Sequence, residues 1–135
     1  MAPQHDSPEP RLEGGALNAA ISETIVRLLA DSTGRGPTKA RTTIDRDLVV
    51  VVLQNSLTPG ERYLADRGRV EQVLDMRRAY QDAMRTDCIT AIEALTGRTV
   101  QAFMSANHVD PDLAAELFLL EPDGSATHAA ATPDA

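Results

Sequence analysis

From Ala16 onward, apolar side chains recur at Leu17, Ile21, Ile25, Leu28 and Leu29, with Asn18, Glu23 and Arg27 falling between them. That three-and-four spacing predicts an amphipathic helix. Gly34 is the residue type that ends such a helix, and Gly36 and Pro37 forbid its continuation. Ala40, Thr42 and Ile44 then alternate with Lys39, Arg41 and Thr43, the period of a half-buried strand. Asp45-Arg46-Asp47 supplies turn chemistry. The unbroken run Leu48-Val49-Val50-Val51-Val52-Leu53 predicts a second strand, covered on both faces and closing an antiparallel hairpin with the first.

Thr58-Pro59-Gly60-Glu61 places a hydroxyl cap, a proline at the first helical position and an acid three residues after the cap. A short helix should run from there to about Asp66. After Gly68, the positions Val70, Val73, Leu74, Tyr80, Met84, Cys88, Ile92 and Leu95 form one long stripe that closes at Gly97. Arg77 interrupts it; with Arg78 it reads first as the wet side of the helix, and otherwise as the partner of a buried acid. Met76, Ala83 and Ile89 make a second apolar face on the same helix, from which a homodimer contact is expected. Val100, Ala102 and Met104 alternate with Gln101, Phe103 and Ser105 as a third strand. The polar stretch Asn107 to Asp112 turns the chain, and Glu116-Leu117-Phe118-Leu119-Leu120 is a fourth strand.

The element order α-β-β-α-α-β-β predicts an α+β fold in which two β-hairpins form one antiparallel four-stranded sheet packed by helices. Residues 16–121 make a single domain of a size that buries a core without disulfides or metal. The Pro-rich, polar stretch 1–15 and the Ala/Thr/Pro/Asp stretch 122–135 read as a disordered arm and tail.

Charge refines this picture. The chain has 20 acidic and 13 basic residues, a net charge of -7. Six of those acids (Asp6, Glu9, Glu13, Glu121, Asp123 and Asp134) lie with Arg11 in the first and last fifteen residues. The remainder, 14 acidic against 12 basic, is nearly balanced. Such a middle lacks the broad basic face that nucleic acid requires, and two Tyr and two Phe without Trp offer little stacking surface. No nucleic-acid partner is expected. Cys88 is the single cysteine, so no intrachain disulfide forms, and its place in a helical stripe reads as a small buried apolar side chain. The longest apolar run has the length of a strand, and the first residues have no apolar leader segment, so no transmembrane segment is expected.

Four phrases stand in order along the chain: Gly34-Arg35-Gly36-Pro37-Thr38-Lys39-Ala40-Arg41, Leu48 to Leu53, Leu57-Thr58-Pro59-Gly60-Glu61, and Phe103-Met104-Ser105-Ala106-Asn107-His108-Val109-Asp110-Pro111-Asp112. Together they resemble the bacterial MpsC family, named after a sodium-translocating, membrane-potential-generating system, over about Leu17 to Pro122. The resemblance implies a soluble accessory to an ion or bicarbonate transport complex. It carries no catalytic residues onto this chain.

Two clusters offer chemistry of their own. Arg35, Lys39 and Arg41 occur with Gly34 and Gly36 in a stretch free of acids, a set able to hold a phosphate, carboxylate or bicarbonate. The spacing is not that of a nucleotide-binding P-loop, which needs four residues between its glycine and Gly-Lys-Ser/Thr and a helix afterwards. His108, Asp110 and Asp112 offer an imidazole and two carboxylates, ligand types that zinc or manganese accepts. The competing readings are a helix-stop loop with a solvated basic strand, and a polar turn capped by Asn107.

The function expected is a non-enzymatic accessory or regulatory protein of a membrane cation or bicarbonate transport system. It would be cytoplasmic and peripheral at the inner face of the membrane, with membrane transport subunits as partners and no cofactor. The alternative is a small-anion or phosphate-ligand-binding sensor or enzyme using the segment from Gly34 to Arg41. The two are separated by whether Arg35, Lys39 and Arg41 converge on a pocket with His108 or lie on a flat face.

Overall fold

In the computed structural model of the chain, which describes residues 11–37 and 39–122, the two periodicities resolve into seven elements. They are α1 (Gly14–Thr33), β1 (Lys39–Asp45), β2 (Leu48–Gln54), α2 (Pro59–Asp66), α3 (Val70–Thr96), β3 (Val100–His108) and β4 (Leu113–Leu120). The fold class and element order are those expected. Most of the arm and tail lies outside the described residues. Helix α1 already begins at Gly14, and it ends at Gly34, whose left-handed backbone (φ 83°) turns its N–H back to Ala30 O at 2.9 Å. Helix α2 carries the full capping box: Thr58 Oγ1 accepts from Glu61 N at 3.1 Å, and Glu61 Oε1 accepts from Thr58 N at 2.9 Å.

All strands pair antiparallel in the order β1-β2-β4-β3, so the two hairpins are joined through β2 and β4. One face of this sheet is the core face. Val49, Val51 and Leu53 of β2 and Ala114, Phe118 and Leu120 of β4 bury themselves against Ile21, Ile25 and Leu29 of α1 and Met84, Cys88 and Ile92 of α3. Phe103 of β3 joins them, its ring 4.8 Å from that of Phe118. A hydrogen bond of 2.8 Å between Ser22 and Thr42 ties α1 to the first strand, and α2 packs on α3.

Three expectations are corrected. The stretch Leu48–Leu53 was expected to be covered on both faces, yet among the described residues no element packs on the outer one. Val50 and Val52 are only half-buried there, and Leu48 is 36% exposed. Both hairpin strands are longer at the second turn than the polar stretch suggests, since Asn107 and His108 pair with Ala114 and Leu113 and the turn proper begins after them. Finally, the second apolar face of α3 is not continuous. Ile89 packs on the core, while Met76 and Ala83 stand among exposed Asp75, Arg78, Asp82 and Arg85.

A bulge between Val100 and Ala102 changes the phase of β3. Uninterrupted alternation would put Val100 and Met104 on one face. The extra residue instead leaves Val100 against the core and turns Phe103 inward, with Met104 59% exposed on the far side.

Candidate functional site

The connection between β2 and α2, Asn55 to Leu57, is where most of the chain's notable polar residues meet. Beyond one ladder-like bond from Asn55 N to Asp112 O at 3.0 Å its backbone has no sheet or helix partner, and Asn55 holds a left-handed conformation (φ 58°), so its remaining donors and acceptors must be satisfied by side chains. Arg35 reaches across from the end of α1, and its Nη1 donates to Asn55 O at 2.6 Å and Leu57 O at 2.9 Å. Asp112, before β4, accepts from Ser56 N at 3.1 Å and Leu57 N at 3.0 Å, and from Arg62 Nη2 at 2.9 Å. Arg77 of α3 supplies the third arm, donating to Ser56 O at 3.3 Å and Ser56 Oγ at 2.7 Å.

Arg77 lies on no wet side but pairs with a buried acid. Its Nη1 lies 3.2 Å from Glu61 Oε1, both side chains being almost wholly buried. Glu61 thus serves the cap of α2 and neutralises α3 at once. One turn further along α3, Gln81 Nε2 donates to Asn107 Oδ1 at 3.2 Å and Asn107 Nδ2 returns a bond to Gln81 Oε1 at 2.9 Å. Gln81 and Ser105 both donate to the buried Glu116. Burial raises Glu116 to about 7, against the opposing pull of those two hydrogen bonds and of the Arg77 charge. Cys88 is pushed up to about 12, first by burial and then by the charges of Glu116 and Asp87. Such a thiol is inert.

The two clusters expected from the sequence are both taken apart. Gly34 is occupied as the helix stop. Gly36 packs against α1, where a Cβ would lie 3.3 Å from Val26 Cγ1 and 3.4 Å from Ala30 Cβ, a tight fit. Arg35 points into the connection just described. Only Lys39 and Arg41 stay together, side by side on the outer face of β1, where with Val52 and Gln54 they line a shallow depression of about 350 Å³. His108 sits at the opposite edge of the same sheet, so the basic residues lie on a flat face and do not converge with it.

Of the second cluster, Asp112 has both oxygens engaged, and His108 Nδ1 donates to Pro111 O at 2.8 Å. Asp110 is exposed and lines a cleft with Val70, Leu74 and His108. Among the described residues no three His, Cys, Asp or Glu side chains gather as a metal would need. The residues missed at the level of sequence were Ser56, Gln81 and Glu116. Glu116 alone left a signal, being an acid in the inward phase of a strand.

Among the described residues these features define a helix-backed α+β domain with one sheet, covered on one face and open on the other. The chain belongs to the MpsC family: the family model described as Na+-translocating membrane potential-generating system matches residues 13–122. Neither curated proteins nor solved structures give a match. No helix among the described residues is long and apolar enough to cross a membrane.

Proposed function

We propose that this protein is a non-enzymatic accessory or regulatory component of a membrane cation or bicarbonate transport system, acting at the cytoplasmic face through protein contacts. The observation that carries this reading is the connection at Asn55 to Leu57. Arg35, Asp112, Leu57 and Glu61 come from three of the four phrases by which the chain resembles its family, and all of them converge on that connection or on the helix it starts. The family's recognisable residues are therefore used as architecture, which supports a binding role over a chemical one. The family description supports the membrane system as the setting.

Anion capture by the segment from Gly34 to Arg41 is the less favoured reading, because Arg35 and both glycines are occupied elsewhere. The test is affinity purification of the tagged full chain from detergent-solubilised membranes of its native host. Recovery of a membrane transport subunit is the expected result; consistent recovery of none overturns the proposal.

A further inference from the structure

The register of the sheet arranges its open face as four rows. Across β1, β2, β4 and β3 they read Lys39, Gln54, Leu113, His108; then Arg41, Val52, Ala115, Ala106; then Thr43, Val50, Leu117, Met104; then Asp45, Leu48, Leu119, Ala102. The two central strands are apolar at every open position but Gln54. Leu48, Leu119 and Met104, at 36%, 39% and 59%, are half of the large apolar side chains that stand exposed among the described residues. An antiparallel sheet with one face in water ordinarily alternates apolar with polar. Here only β1 does so clearly, and the central strands do not, so the middle of the outer face is built to be covered.

We infer that a second copy of this chain covers it, the two sheets packing face to face about a two-fold axis that runs across the strands. Such an axis lays each strand antiparallel over its own copy and inverts the row order, so the second row meets the partner's third and the first meets the partner's fourth. The face is complementary to itself under that operation. Ala115 and Ala106 fall opposite Leu117 and Met104 of the other copy, small against large, as interlocking layers require. Lys39 falls opposite the other copy's Asp45, and Arg41 opposite Thr43. An axis along the strands would instead place Lys39 over His108 and leave Asp45 without a cation.

Charge on the edge strand also disfavours the other route to a dimer, edge-to-edge pairing of β1. The segments 1–10 and 123–135 contain no large apolar side chain besides Met1, and so are ill suited to cover the face. With strands about 4.8 Å apart and about 3.3 Å per residue, the face spans roughly 19 by 23 Å, near the lower limit of a specific interface. A face of this size is expected to pair weakly, with the affinity set by the fit of its side chains rather than by its area.

This inference is independent of the membrane role, because it concerns the isolated protein. Sedimentation equilibrium of the full chain across the micromolar range should give twice the 14.5 kDa of one chain at its upper end. Leu117→Lys, or Met104→Lys at the most exposed position, should give one chain throughout with an unchanged circular dichroism spectrum. Lys39→Glu and Asp45→Lys should each weaken the dimer about tenfold, and the two together should restore it to within about threefold. A single-chain mass at all concentrations overturns the inference, as does a dimer that survives both lysine variants or is dispersed by Met76→Lys instead. A double charge exchange no tighter than the single ones overturns the two-fold arrangement.

Discussion

Without the Arg35 guanidinium, the carbonyls of Asn55 and Leu57 lose their charged donor and the end of α1 loses its link to the β2–α2 connection. Because Arg35 is partly exposed, water replaces some of what is lost, and Arg35→Ala should cost about 1–2 kcal/mol. Asp112→Ala strands two backbone amides in a more protected place and should cost about 2–4 kcal/mol. Urea unfolding midpoints measure both; midpoints equal to that of the wild type would remove the structural role assigned to these residues.

Glu116 gives a pH dependence of definite sign. Its folded value of about 7 lies above its ordinary 4.5, so the folded protein holds the proton more tightly than the unfolded chain does. Ionisation therefore opposes folding: stability falls as pH rises from about 4.5 through about 7 and stays lower above. At about 1.4 kcal/mol per unit the effect is about 3 kcal/mol. Glu116→Gln lacks this titration, so its stability relative to wild type should be about 2–3 kcal/mol better at pH 8 than at pH 5, part of the loss having already occurred by pH 5. Identical pH profiles for the two proteins would refute the assignment. Arg77 was legible as a break in the stripe, readable as wet side or as the partner of some buried acid, and its partner Glu61 read only as a helix cap. Partners sixteen residues apart on different elements leave no local pattern.

Among the elements, β3 separates what periodicity reveals from what it hides. Its existence and its pairing follow from alternation, but its inward set depends on one bulge, and a bulge has no signature in the apolar pattern when neighbouring residues on both faces are apolar. Phe103→Ala, on the buried side, should cost about 3–5 kcal/mol, whereas Met104→Ala should change the stability of the monomer by less than about 0.5 kcal/mol. Chemical denaturation at dilution checks this, and the reverse order of costs would mean the opposite phase. The same limit explains β2. An apolar run of strand length says that neither face is polar, and only the packing of α1 and α3 shows which of the two is buried in the core of the chain. The helices were easier: α2 and the ends of α1 and α3 are marked by a capping box and by Gly34 and Gly97, each a local signal.

For the whole molecule, the strand order has a kinetic meaning. Each hairpin closes over a short turn, and α2 and α3 form within the segment between the hairpins, so most of the structure is reached by local steps. The pairing of β2 with β4 is different, since joining Gln54 to Leu113 closes a loop of about 60 residues, at an entropic cost of about 3–4 kcal/mol before any side chain is buried. That closure should limit the folding rate. Val51→Ala, at the β2–β4 seam, should slow refolding in stopped-flow measurements, while Ile44→Val at the outer strand should chiefly speed unfolding. Until the seam closes, two half-sheets with apolar edges stand exposed, and it is in that interval, long before any mature interface is formed, that this chain is most prone to join the wrong neighbour.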